Sequence, residues 1–234
     1  MFTPIKNTKV YEQVIEQIKG MIADGTLKKG DKLPSERDLA EQLGISRASI
    51  REAIRSLEII GLIESRQGEG NFIRSSFENS LLEPLSIMFM LNEGKVQEIF
   101  ELRKVIEIET AALAAKQITD EELDHMLDLI NKMKSSDNEE ERVTYDTKFH
   151  YKIAQASRNF LIVNILNTVS ILMDSFIRDA RKRIISNQHK DDIDFQHEKI
   201  WNALKNHNPG EAAEAMRKHM ELINENLILM AKYN

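Results

Sequence analysis

The chain has 234 residues and is 41% apolar, enough for one large or two modest folded units with packed cores. A formal net charge of −6 argues against a general polyanion binder, and the absence of cysteine excludes disulfides and thiolate metal sites. A cysteine-free chain suits a reducing compartment, so a cytoplasmic location is expected. The opening MFTPIKNTKVYEQ lacks the apolar core of a signal peptide. The most apolar run, 161–173, is interrupted by Asn164, Asn167 and Ser170 and is too short to span a bilayer, so no membrane partner is expected. Residues 1–75 carry 12 Lys and Arg against 11 Asp and Glu; the remainder carries 20 against 27. Positive charge in the first part is therefore local, which points to an oriented contact more than a broad electrostatic one.

In chain order, residues 9–23 read as an amphipathic helix with Val10, Val14, Ile15, Ile18 and Ile22 on one side, closed by Gly25. A turn over 27–31 leads to a short strand at Lys32-Leu33, expected to pair with a later hairpin. Ser35, with Asp38 three residues on, is a helix N-cap. Leu39, Ala40 and Leu43 share a face of the helix it opens. Gly44 supplies the left-handed residue that a tight inter-helix turn needs. Ser46 caps a second helix with Ile50, Ala53, Ile54 and Leu57 inside, ending at Gly61. Residues 62–65 and 71–73 read as strands joined by a turn built on Gly68 and Gly70. Two helices about a glycine turn, followed by a hairpin, make a winged helix-turn-helix.

Ser46, Arg47, Ser49, Arg51 and Arg55 lie off the apolar stripe of the second helix, and Arg47 and Arg51 share a face. Arginine forks onto a guanine edge or clamps a phosphate, and serines in a first helical turn suit phosphate. The alternative is an ordinary helical hairpin with a solvated face.

The polar 74–79 segment reads as a linker. The domain boundaries expected are 1–74, a linker over 75–80, and 81–234. Beyond it the pattern is helical throughout, with expected helices at 81–91, 95–116, 120–134, 139–156, 160–183, 191–206 and 209–232. Thr119 and Glu122 form a capping box, Asn159 caps the next helix, and Pro209 opens the last. The fold class expected is mainly α: a winged helix-turn-helix followed by an all-α antiparallel bundle.

A second constellation sits in that bundle. Asp146 and His150 are one helical turn apart; His197 and His219 lie on two further helices, each beside a core-facing stripe. One carboxylate and three imidazoles suit Zn²⁺, Ni²⁺, Mn²⁺ or Fe²⁺, with positions left open for water or a carboxylate. The alternative is four unrelated polar residues. His125, His189 and His207 read as surface residues.

The stretch LPSERDLAEQLGISRASIREAIRSLEIIGLIESRQGEGNFI resembles the DNA-binding domain of the GntR family of bacterial transcription regulators. The resemblance implies that Arg37, Arg47 and Arg51 contact DNA and that the wing tip, Gln67-Gly68, enters the minor groove. With the serines at the helix starts, the candidate DNA-contacting set is Ser35, Arg37, Ser46, Arg47, Ser49, Arg51, Gln67 and Gly68. From about residue 80 the chain resembles the FCD domain, the helical effector domain of the FadR subfamily, on the strength of ELRKVIEIETAALAA, Asp146-x₃-His150, QHEKIWNAL and MRKHM. That likeness implies a divalent metal, zinc first, on Asp146, His150, His197 and His219. It also implies a cavity-facing Arg103 that would grip a carboxylate effector. The alternative for Arg103 is a solvated arginine with Glu101 or Glu107 as a surface partner.

Together the two resemblances imply a homodimeric regulator, a repressor in most relatives, binding a pseudo-palindromic operator and answering to a small organic acid. A metal-dependent enzyme is the weaker reading, because no HExxH, nucleophile motif or phosphate-binding glycine loop occurs. A regulator that senses the metal itself is a third.

Overall fold

Buried Val14 and Ile18, one turn apart, set the inner face of α1 (Val10–Ala23). The structure, a computed structural model, describes residues 9–75, 82–185 and 190–231. By its internal packing the chain divides into two units, residues 1–80 and 81–234. In the first unit α1 is followed by α2 (Glu36–Leu43), α3 (Arg47–Ile59), β1 (Ile63–Arg66) and β2 (Gly70–Ile73). Ser35 Oγ accepts the Asp38 N–H at 3.2 Å, and Ser46 Oγ accepts the Ser49 N–H at 3.1 Å. Each cap satisfies a donor that a helix start leaves orphaned. Between them Gly44, at φ 63°, makes the turn. α3 buries Ile50, Ala53, Ile54 and Leu57 against Val14, Ile18, Leu33, Ala40, Ile63 and Ile73. Val10, expected on the inner face of α1, is 45% exposed: it is the first helical residue and overshoots the core.

β1 and β2 pair antiparallel, with Ile63 opposite Ile73 and Arg66 opposite Gly70. The first strand lies one residue later than the sequence pattern gave, because Leu62 still closes the helix with its N–H on the Leu57 carbonyl. Lys32 bridges Phe72, and the Leu33 N–H donates to the Asn71 carbonyl at 2.8 Å. The expected short strand is thus a single bridge on the wing.

The second unit is all helix among the described residues: α4 (Leu82–Leu91), α5 (Val96–Ala115), α6 (Asp120–Ser135), α7 (Glu139–Ala156), α8 (Phe160–Ile185), α9 (Lys190–Lys205) and α10 (Pro209–Ala231). Most of the expected linker, from residue 76 on, lies outside the described residues. Thr119 and Glu122 form the reciprocal cap on α6. Asn159 Oδ1 accepts from the Leu161 and Ile162 N–H groups at 3.1 and 3.2 Å. α5 packs against α7, α8, α9 and α10, so its residues reach the middle of the bundle. Phe100, Met126, Ile130, Phe149, Ile153, Ile200 and Met216 fill that core, each worth about 1.5–3 kcal/mol if fully removed from water. No helix among the described residues is long and apolar enough to cross a membrane.

Candidate nucleic-acid interface and buried Asp–His cluster

On the first unit, α3 turns its apolar face inward and leaves Arg47, Arg51 and Arg55 exposed. The Ser46 and Ser49 hydroxyls sit 3.0 Å apart at its N-terminus, where N–H groups and the helix dipole favour an anion. Arg51 forks onto Glu36 Oε2 of α2, at 3.2 Å from Nε and 3.1 Å from the terminal nitrogen. This is a solvent-exposed pair, cheap to exchange for a phosphate or a base edge. Arg37, with its side chain 78% exposed, lies 3.6 Å from Asp38. Ser35 is committed to its cap, with its O–H left to donate. Gln67 and Gly68 form the exposed wing tip, with Gly68 at φ 76°. Beside them is a feature that sequence reasoning missed. Arg66 stacks 4.4 Å above the Phe72 ring, and the Lys32 ammonium lies 5.8 Å from the same ring. The bridge that joins Lys32 to β2 is what brings these two cations to one aromatic.

In the second unit, α7 presents Asp146 and His150, α9 presents His197 and α10 presents His219. One ligand-type atom from each of the four lies within 4.8 Å of all the others, and all four residues are buried. His197 Nε2 is 3.1 Å from Asp146 Oδ1, His150 Nε2 is 3.6 Å from the same oxygen, and the Nε2 atoms of His150 and His219 are 3.1 Å apart. Neither ring nitrogen of His197 has a hydrogen-bond partner among the described residues, although Nε2 lies within reach of Asp146. The His150–His219 approach has hydrogen-bond geometry, whereas His197 Nε2 meets Asp146 without it. Burying the two His197 nitrogens without partners costs about 1–3 kcal/mol each, and a cation at the point the four residues share would satisfy Nε2. The donor set, three imidazoles and a carboxylate, fits a divalent transition metal. Phe149 lies edge-on to His150 and His197, with ring centroids 5.7 and 5.0 Å away, and walls the site on one side.

Behind His150 lies Glu107 of α5, 3% exposed. It is not the surface partner expected from its spacing. One carboxylate oxygen takes the Arg103 Nε–H; the other touches His150 Nδ1. Arg103 is itself 2% exposed and also contacts Met173 Sδ at 3.4 Å, which rules out the solvated alternative. Burial pushes the Glu107 carboxyl up, but Arg103 and His150 outweigh it and hold it near 2. Burial pulls the His150 imidazole down, and Glu107 and Asp146 more than reverse it, leaving it above its ordinary value. For His219, burial and then the neighbouring His197 and His150 push the imidazole well below its ordinary value. A neutral ring keeps a lone pair for a cation.

One turn along, Arg142 of α7 pairs with Asp194 of α9 at 2.8 Å and donates to the Met133 carbonyl. Arg142 and Asp194 stand four and three residues before Asp146 and His197, so the buried ion pair fixes the register of the two helices that carry these groups. Sequence reasoning missed the Arg142–Asp194 pair and, in one of its two alternatives for Arg103, put the Arg103–Glu107 pair at the surface. The signal available was a charged residue on a core stripe: Phe100, Arg103, Glu107, Ala111 and Ala114 recur at helical spacing and are all buried. His125 and His207 are exposed, as expected; His189 lies outside the described residues.

A winged helix with arginines displayed on its second helix, followed by a helical unit with a polar cluster in its core, defines a DNA-binding regulator with a ligand-binding domain. Comparisons with known proteins agree. Residues 10–73 match the family described as "Bacterial regulatory proteins, gntR family", and residues 98–222 match the FCD domain. The chain is 35% identical over 203 residues to "HTH-type transcriptional regulator LutR" of Bacillus subtilis (strain 168), covering 86% of this chain and 93% of that one. It is 33% identical over 225 residues to "Glc operon transcriptional activator" of Escherichia coli (strain K12), covering 93% and 89%. The solved structure "Streptococcus agalactiae GntR" superposes with a TM-score of 0.69 at 27% identity, covering 92% of this chain and 99% of that one. The chain belongs to the GntR family of transcription regulators, in its FadR subfamily with an FCD domain. It is a DNA-binding regulator and not an enzyme.

Proposed function

We propose that a small organic acid, bound at a divalent metal in the helical unit, controls the affinity of this regulator for its operator. The observation that carries the proposal is the convergence of Asp146, His150, His197 and His219 within the bundle core. Zinc suits this donor set best, with nickel, manganese or iron(II) compatible. When bound, such an ion supplies a Lewis-acid site for a carboxylate oxygen. Arg103, joined to the cluster through Glu107, is the residue assigned to the effector's carboxylate.

On the DNA side the proposed contacts are Ser35, Arg37, Ser46, Arg47, Ser49, Arg51, Gln67 and Gly68. Arg47 and Arg51 read base edges or phosphates, the serines take phosphates, and the wing tip enters the minor groove. A homodimer presents two recognition helices to a pseudo-palindromic operator in the cytoplasm. Exposed apolar residues on the helical unit support self-association: Leu91 at 79%, Val105 at 66% and Leu161 at 67%. Effector binding favours one arrangement of the dimer over another and so releases the operator, the action of a repressor.

The test is a thermal-shift screen of small organic acids on metal-loaded protein. A ligand at about 100 times its dissociation constant stabilises the folded state by about 2.7 kcal/mol. His197→Ala should abolish the shift and leave the DNA footprint in place. No shift from any carboxylate, with a footprint that responds to metal alone, would make the metal the signal instead.

A further inference from the structure

We propose that Glu107 is the positioning carboxylate of the cluster. It accepts the Nδ1–H of His150 and so fixes that ring with Nε2 as the bare nitrogen, while Arg103 anchors Glu107 from behind. The inference rests on the reading that the cluster holds a metal.

Four observations carry it. Arg103, Glu107 and His150 are 2%, 3% and 6% exposed, so bulk water is no alternative partner. The two oxygens of Glu107 divide their work: one receives the Arg103 Nε–H and the other touches His150 Nδ1. That second oxygen and His150 Nδ1 have no other hydrogen-bond partner among the described residues. Their contact is off hydrogen-bond alignment, and a small turn of the ring pairs two buried polar atoms that would otherwise both go unsatisfied. On the opposite edge of the ring, Nε2 faces His219 Nε2 at 3.1 Å and Asp146 Oδ1 at 3.6 Å.

The two nitrogens of His150 therefore have separate duties, and a carboxylate at Nδ1 decides which one keeps the proton. None of the three Nδ1 atoms has an aligned hydrogen-bond partner among the described residues, but that of His150 touches a carboxylate, and no such contact is seen there for His197 or His219. A carboxylate on the far nitrogen orients a metal-binding imidazole and raises its basicity. Arg103 and Glu107 are four residues apart on α5, so their pairing is set by that one helix.

The experiment titrates metal-free full-length protein with Zn²⁺ against a competing chromophoric chelator. It compares the native chain with Glu107→Gln and Glu107→Asp, using circular dichroism to verify the helical fold. Glu107→Gln should lower zinc affinity about 10- to 100-fold, and Glu107→Asp should recover part of the loss. Nitrogen-15 NMR of the zinc-loaded native chain should give His150 as a single tautomer, protonated at Nδ1, with that proton's resonance displaced in Glu107→Gln. A Glu107 that does not accept the Nδ1–H would leave that resonance unmoved, since zinc on Nε2 by itself keeps the proton on Nδ1. If the single variants do not fold, Arg103→Met/Glu107→Leu removes both charges together, leaving no lone buried ion, and the same fall in affinity is expected. Native protein that takes up no Zn²⁺ overturns the metal reading beneath the proposal. Native protein that binds while Glu107→Gln or the paired variant binds equally well overturns the positioning role alone.

Discussion

The two units handle charge in opposite ways. In the first, no polar or charged residue is buried among the described residues: the core is Val14, Ile18, Leu33, Ala40, Ile50, Ala53, Ile54, Leu57, Ile63 and Ile73, and Arg37, Arg47, Arg51 and Arg55 stand in solvent. In the second, Arg103, Glu107, Arg142, Asp146, His150, Asp194, His197 and His219 are all inside. A surface that meets and leaves a polyanion in water keeps its cations hydrated, and its exposed ion pairs, such as Arg51 with Glu36, contribute little to folding. A pocket for a small ion or acid needs low dielectric and fixed geometry, and it accepts the desolvation of its charges to get them. Removing a charge from the two units should therefore have unlike consequences.

The largest effect is expected at Arg142. Arg142→Met leaves Asp194 buried without its partner and should destabilise the second unit by about 3–5 kcal/mol, read as a fall in its urea midpoint. Adding Asp194→Leu should restore most of the loss, since the uncompensated charge then goes too. On the first unit, Arg55→Ala should change stability by no more than about 0.5 kcal/mol. Equal costs at the two positions would break the contrast.

Arg47 gives the converse measurement. Arg47→Ala should leave the melting midpoint nearly unchanged while weakening operator binding by about 1–3 kcal/mol if it reads a base. If it holds only a phosphate, binding should weaken equally on all sequences, with the salt slope reduced by about 1. A gel-shift series over salt and over operator variants separates the two. His197→Ala, in the other unit, should leave the footprint and abolish the zinc uptake proposed for the cluster.

Much of this contrast was legible in the sequence, and unevenly. Caps at Ser35, Ser46, Thr119 and Asn159 fall where local hydrogen bonding demands them, so short-range spacing finds them. The caps at Asn138 and Asn208 obey the same chemistry, each accepting from N–H groups two and three residues on, but were not singled out. The Asp146–His150 spacing, with histidines on two other stripes, brought the quartet within reach of pattern reading. Glu107 reads as a surface partner of Arg103, because an i,i+4 charge pair on a helix looks the same solvated or buried, while Arg142 and Asp194, on two different helices, have no local spacing to betray them. Only the phase of Arg103 and Glu107 with Phe100 and Ala111 separates the cases. Non-glycine residues at positive φ after three helices, Glu93, Arg158 and His207, carried no signal in residue type. Two of them make long-range contacts instead: Arg158 forks onto Glu122 at 2.6 and 2.8 Å, and His207 Nδ1 lies 3.0 Å from the Ala115 carbonyl.

The smallest effect, and the sharpest use of the comparison, is at Ser46. Its hydroxyl caps α3 and lies against Ser49 Oγ at the edge proposed to meet phosphate, so one oxygen serves both fold and function. Ser46→Ala should cost about 1 kcal/mol of stability and Ser46→Gly only a few tenths, because glycine lets water reach the orphaned N–H. Both variants remove the hydroxyl equally from DNA. Operator affinity should therefore fall by the same factor in the two, while their melting midpoints separate. If affinity follows the midpoints instead, Ser46 acts on DNA only by holding the helix start together, and the division between solvated function and dry core in this unit is less clean than its burial pattern implies.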